Sequence, residues 1–191
     1  MYIYFMELIR VTDKKEAEEL GKIGREAFPP EEYISPERFI GGDTAVYKIT
    51  ESGQACGYMC AALYDDLTYL FFFAVAADKR GRGTGSAALK AFIGLRPSVP
   101  VVVDSELAEK SADNYAQRLR RRNFYLGLGF SPTGKGMAYN GVSFELLCTG
   151  RLNAEKFAAR LEMYRAMGFS PEYFDVAFIG DGVERCDLPK R

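Results

Sequence analysis

The chain has 191 residues, 48% of them apolar and 27% charged, the composition of an ordinary soluble globular protein long enough for a sizeable core. Its 25 Lys and Arg against 26 Asp and Glu give a net charge of −1, so the charge balance points to neither nucleic acid nor an anionic membrane as partner. Histidine is absent. That excludes Ser-His-Asp and Cys-His hydrolases, His-ligated zinc enzymes and histidine general bases, and leaves acid–base chemistry to carboxylates, Tyr, Lys, Cys or water.

The opening MYIYFMELI is apolar for about nine residues before Arg10. It is too short for a bilayer span and lacks a signal peptide's basic start and cleavage site. Residues 7–11 read as a strand, and Thr12-Asp13 can cap a helix over 14–27 with Ala17, Leu20, Ile23, Gly24 and Phe28 on its inner face. Pro29-Pro30 ends it. A loop follows whose Glu31, Glu32 and Glu37 either meet a basic amine or are plain surface charge, with one helical turn before Gly41-Gly42. Residues 44–50 and 55–64 form an expected hairpin across Glu51-Ser52-Gly53.

The apolar run over 70–77 reads as a buried strand, and Lys79-Arg80-Gly81-Arg82-Gly83-Thr84-Gly85-Ser86 follows before a helix-forming stretch. Residues 100–103 are a further strand leading to Asp104-Ser105-Glu106. A helix is expected from about 112 to 128, stopped by Gly129. Then come a strand over 130–133, a turn at Gly134-Lys135-Gly136 and a strand over 142–148. A helix over 153–167 and an apolar segment near 173–179 close the chain. Cys56, Cys60, Cys148 and Cys186 lack metal-like spacing and read as reduced, mostly buried thiols of a cytoplasmic protein, so no metal is expected.

Strand, cationic glycine-rich turn and helix N-terminus, in that order, make an anion site. Glycines let backbone N–H groups converge on a phosphate, and the helix dipole adds partial positive charge. The turn holds three glycines and three cations in residues 79–85. It is not a nucleotide P-loop, which needs GxxxxGK[ST], and GxGxxG fails because Ser86 stands where the third glycine should be. The pattern that fits is R-x-x-G-x-G, read at Arg80, Gly83 and Gly85.

This pattern resembles the acetyl-CoA pyrophosphate loop of the GNAT superfamily of N-acetyltransferases. A second stretch, Arg122-Asn123-Phe124-Tyr125-Leu126-Gly127-Leu128-Gly129-Phe130, resembles that superfamily's aromatic pair on a helix followed by Gly-Phe. Gln117 to Tyr125, with its Arg-rich run, is similar to a group of small bacterial members. The element order agrees, and the resemblance covers roughly residues 5–148, with nothing specific in 149–191. It implies an α/β (α+β mixed) fold, a twisted mixed sheet with helices on both faces. The corresponding division is an acetyl-CoA-binding domain over 1–150 with a C-terminal helical extension over 151–191 packed on it.

The activity implied is acetyl transfer from acetyl-CoA to a primary amine by direct attack, with a catalytically weak or inactive acetyl-CoA-binding sensor as the alternative. By the same resemblance, Arg80, Gly81, Arg82, Gly83, Thr84, Gly85 and Ser86 hold the pyrophosphate. Ala74 and Val75 border the pantetheine arm, and Asn114 joins the cofactor site. Tyr125 is the acid that protonates the departing thiolate. A phenol, with a reference pKa of about 10, suits a thiolate better than a carboxyl group does, although Tyr125 could simply pack with Phe124. Asp104 and Glu106 are two apart at a strand end and so share a face. Glu106 could take the amine's proton or bind a cationic substrate; both could equally be solvated loop carboxylates. Arg118, Arg120, Arg121 and Arg122 are either a solvated helix face or a further hold on the CoA phosphates. The acceptor, a small-molecule or peptide amine, is not legible in the sequence, and a homodimer is left open. The likeness of residues 124–132 to 163–171 is read as a shared capping pattern rather than a duplicated module.

Overall fold

The computed structural model describes residues 6–30, 32–179 and 182–186, with no account of the side chains at 166–167, 178–179, 182, 184 and 186. Glu31, the first five residues of the apolar opening and the Cys186 side chain therefore lie outside the described residues. The contacts group the chain into two compact units, residues 1–101 and 102–191.

In the first unit, β1 (Met6–Val11), β2 (Thr44–Glu51), β3 (Gln54–Leu63) and β4 (Thr68–Val75) pair antiparallel in sequence order. Helix α1 spans Lys14–Ala27, as the sequence pattern predicts, and starts where the Asp13 carboxylate accepts the Glu16 N–H at 2.8 Å. Helix α2 spans Thr84–Gly94. Register decides which helix each strand residue meets. Lys48 stands opposite Tyr58, and Tyr47 opposite Met59. Lys48 pairs with Glu16 of α1, and a Cβ at Gly24 of α1 would overlap the Tyr58 hydroxyl. Tyr47 instead meets Phe92 of α2 edge-on, ring centroids 5.5 Å apart. Because alternate strand residues point to opposite sides, α1 and α2 cover opposite faces of this sheet. Its core is tightly closed: Val46, Ile49, Tyr58, Met59, Cys60 and Leu89 are each fully buried.

The second unit contains β5 (Val101–Glu106) from its second residue on, α3 (Tyr115–Leu126), β6 (Ser131–Tyr139), β7 (Val142–Cys148), α4 (Ala154–Leu161), β8 (Glu172–Ile179) and β9 (Gly182–Cys186). Strand β7 pairs antiparallel with β5 on one side and β6 on the other, and β8 bridges β6 to β9. One expected turn moves. Gly134-Lys135-Gly136 is strand, with a register shift between Pro132 and Gly136, and the chain reverses instead at Asn140-Gly141, both in left-handed backbone at φ 50° and 76°. That is the Asn-Gly signature of a two-residue hairpin turn. Gly136 serves packing, since a Cβ there would overlap the Phe174 ring from β8.

Residues 151–191, expected as a helical extension, also carry strands. Helix α4 stops at Leu161, a 3₁₀ turn runs to Met167, and the β8–β9 hairpin lies along β6. It is anchored by Phe174 and Val183 against Leu107 and Ala108. Gly129 and Gly168 close their respective helical turns at φ 90° and 82°, the capping geometry expected of both segments.

Candidate functional site

Strand β4 leads through a short 3₁₀ turn, Ala77–Lys79, into the glycine loop and then α2. Gly81 and Gly83 have φ of 74° and 87°, backbone that favours glycine. A Cβ at either would meet nothing within 4 Å, so the space beside both is open. Gly83 is the residue before the first helical turn and offers no side-chain cap. The leading N–H groups of α2 therefore lack that partner, while Arg80 and Arg82 are exposed beside them. Open backbone donors, a helix N-terminus and two guanidinium groups fit a pyrophosphate. Arg80 is partly committed, its Nε donating to the Val75 carbonyl at 2.8 Å.

Ala74 and Val75 stand in regular register with Tyr58 and Gly57 of β3. The irregularity in β4 falls nearer its start, where Cys60 faces Phe72 but Ala61 faces Leu70, leaving Phe71 as the extra residue. Phe71, Phe72 and Phe73 are all half-buried.

In the second unit Tyr125 sits in the last turn of α3, buried at 8% exposure. Phe124 and Phe130 meet its ring edge-on at 5.3 and 5.4 Å. Burial pushes its hydroxyl up to about 12, with Arg121 opposing and Asp104 adding. The phenol is thus protonated throughout the neutral range, yet a weaker acid than in water.

Glu106 is held by two arginines, Arg121 and, at 3.6 Å, Arg118. A cationic amine would compete with guanidinium groups for this carboxylate. Arg118 also donates to the Asn114 amide oxygen at 2.6 Å and to the Leu107 carbonyl at 3.1 Å, so Asn114 and Arg118 are neighbours as their helical spacing predicts. Asp104 accepts a hydrogen bond from Tyr139.

The arginine run is neither a uniform solvated face nor a free cationic patch. Arg122 is buried and forms a two-point ion pair with the buried Glu145 of β7, at 2.7 and 3.3 Å. The sequence reading missed this pair, and the available signal was helical spacing, since Arg122 lies one turn before buried Tyr125. It also missed Glu51, whose carboxylate accepts from the Thr84 hydroxyl and pairs with Lys79. No local pattern points to that contact. Cys56, Cys60 and Cys148 are free and buried. Among the described residues no His, Cys, Asp and Glu cluster suits a metal ion, and no helix is long and apolar enough to cross a membrane.

The sequence model of the Acetyltransferase (GNAT) family matches residues 15–130, more than half of the chain. The chain belongs to the GNAT acetyltransferase family. It is accordingly an acyltransferase, and its mixed α/β fold, mostly antiparallel, is that of solved GNAT structures. A putative acetyltransferase from the GNAT family of Bacteroides thetaiotaomicron is 22% identical with a TM-score of 0.62, over 85% of this chain and 97% of that one. The ribosomal-protein-S18-alanine N-acetyltransferase from Escherichia coli is 20% identical with a TM-score of 0.55, over 75% and 92%. An aminoglycoside 6'-N-acetyltransferase, solved with coenzyme A, is 13% identical with a TM-score of 0.55, over 75% and 95%. No curated protein matches the chain. At these identities the likeness to solved GNAT proteins speaks for fold alone.

Proposed function

We propose that this GNAT protein transfers the acetyl group of acetyl-CoA to a primary amine by direct attack. The observation that carries the reading is the glycine loop between β4 and α2, cationic, left-handed at Gly81 and Gly83 and open beside both. In this reading Arg80 to Ser86 hold the pyrophosphate, Ala74 and Val75 border the pantetheine arm, and Asn114 belongs to the cofactor site.

Acetyl-CoA supplies an activated acetyl group. The amine's lone pair forms the new C–N bond while the C–S bond breaks, its electron pair leaving on sulfur. The Tyr125 hydroxyl gives that sulfur a proton, and the amine's surplus proton goes to Glu106 or to solvent. For Glu106 to serve, Arg121 is the partner to yield, its side chain being 41% exposed against 18% for Arg118.

The acceptor class spans small-molecule and peptide amines. Among fold neighbours, one protein is named for a ribosomal-protein alanine and another for an aminoglycoside. A cytoplasmic setting and the absence of a metal, of nucleic acid and of membrane partners belong to the same proposal, as does the division at residue 150; a homodimer stays open.

Two observations favour a second reading, an acetyl-CoA-binding module with little catalysis. Its proposed acid is pushed up to about 12 and its proposed base is clamped by two arginines. Calorimetric titration with acetyl-CoA, CoA and ATP tests the shared part: acetyl-CoA and CoA bind and ATP does not. Thiol release is then followed with a panel containing a polyamine, an aminoglycoside, free amino acids and a peptide N-terminus. Release with one amine class establishes the transferase, whereas tight acetyl-CoA binding with no release across the panel establishes the module.

A further inference from the structure

Glu51 is the last residue of β2 and lies against the opening of α2. Its side chain is 14% exposed. The carboxylate accepts from the hydroxyl of Thr84, the first residue of α2, and pairs with Lys79 Nζ at 3.4 Å. The Thr84 hydrogen bond, with help from Lys79 and Arg82, holds its carboxyl below the usual carboxylate range although burial pushes the other way. Thr84 itself is buried at 5% exposure, so its hydroxyl needs a partner, and Glu51 provides it.

The loop therefore contains a built-in anion. Of the cations that the sequence places there, Lys79 is neutralised by Glu51, and Arg80 has its Nε turned to the Val75 carbonyl. Thr84 spends its one hydroxyl proton on the same carboxylate. A diphosphate arriving at these N–H groups meets fewer free donors, and a fixed negative charge acts against it.

We infer that Glu51 sets the affinity of the cosubstrate site: it withholds Lys79 and the Thr84 hydroxyl from the phosphates and weakens acetyl-CoA and CoA alike. The inference rests on the reading of the loop as a pyrophosphate site. Since acetyl-CoA and product CoA carry the same diphosphate, Glu51 lowers retention of both, which favours product exit.

The test is Glu51→Gln. The amide oxygen still accepts from Thr84, so that contact is kept, while an NH2 donor replaces the oxygen that met Lys79, so the charge is removed and the lysine released. Acetyl-CoA should bind about three- to tenfold more tightly in low salt, with a steeper loss of affinity as salt rises. Acetyl-pantetheine, which lacks the diphosphate, should bind the variant and the wild type equally. Lys79→Met should then cost more affinity in the Glu51→Gln background than in the wild type. An unchanged or weaker affinity for acetyl-CoA in Glu51→Gln overturns the inference while leaving the loop assignment standing. Equal tightening of acetyl-pantetheine overturns it too, because the effect would not act through phosphate. Absence of acetyl-CoA binding by the wild type removes the loop assignment and this inference together. If Glu51→Gln does not fold, the double variant Glu51→Met/Thr84→Val, which removes the charge and leaves no buried hydroxyl unpaired, decides: acetyl-CoA should bind about three- to tenfold more tightly than to the wild type in low salt, and unchanged or weaker binding overturns the inference.

Discussion

Replacing Gly83 by alanine separates backbone strain from ligand loss. Gly83 has φ 87°, and a Cβ there meets nothing within 4 Å, so the folded protein pays conformational strain but no clash. Left-handed backbone costs a residue with a side chain about 1–2 kcal/mol. In a protein of this size that lowers Tm by roughly 2–8 °C. Gly141, in the β6–β7 turn, is a matched control, with φ 76° and the same open surroundings. Gly141→Ala should lose comparable stability. The two variants should differ in ligand binding. At Gly83 the added methyl occupies space the phosphate oxygens need, and acetyl-CoA affinity should fall at least tenfold, about 1.4 kcal/mol. At Gly141 affinity should stay within about twofold, well under the 1.4 kcal/mol of a tenfold change. Calorimetric titration gives the affinities and differential scanning calorimetry the stabilities. Equal effects of both variants on acetyl-CoA binding would refute the placement of the pyrophosphate on this loop.

Tyr125→Phe should lower turnover about 10²–10⁴-fold with acetyl-CoA affinity nearly unchanged. Tyr164→Phe, also buried but outside the matched family region, should leave turnover intact; full activity in Tyr125→Phe would move the acid's role elsewhere. The pH dependence has a definite sign. The phenol acts protonated and its value is raised from 10 to about 12, so it should impose no high-pH fall in rate near pH 10, and a limb there that vanishes in Tyr125→Phe would contradict the burial argument. Because burial penalises the phenolate, the fold is unaffected by this group below pH 10 and loses stability as pH rises from 10 to 12, roughly 3 kcal/mol that the phenylalanine variant should not lose in alkaline urea titrations. Arg122→Met strands the Glu145 carboxylate in the interior and should cost about 3–5 kcal/mol by urea unfolding, most of it recovered when Glu145→Leu is added. A loss under about 1 kcal/mol, the range of exposed pairs, would show the pair to be solvated in practice.

Local chemistry made much of this protein legible in its sequence. The Asp13 cap, the Glu51-Ser52-Gly53 turn and the glycine loop after β4 each specify backbone geometry through residues within a few positions of one another. The structure has α1 and the β2–β3 hairpin where those signals point, and α2 begins within the glycine run itself, at Thr84. The reversal at 134–136 failed for a non-local reason. Two glycines read as a turn, but the stretch is a bulge within β6: Gly134 is left-handed at φ 72°, Lys135 and Gly136 pair with β8, Gly136 rejoins β7, and the close packing of Phe174 requires Gly136. The β8–β9 hairpin was hidden similarly, because its value lies in covering β6, which no window of the sequence displays.

The loop residues that face the proposed ligand were visible from their own motif, whereas the charges that tune the candidate site were not. Glu51 reaches Thr84 across 33 positions, Glu106 reaches Arg121 across 15, and Arg122 reaches Glu145 across 23. Sequence placed Tyr125 on its helix and gave it a phenol's ordinary acidity. Its removal from water, which raises that value to about 12, is a property of the packed unit. Backbone conformation is settled by near neighbours, so the sequence carried it. Burial and the pairing of distant charges depend on strand register and on the packing of whole elements, and these only the tertiary structure decided.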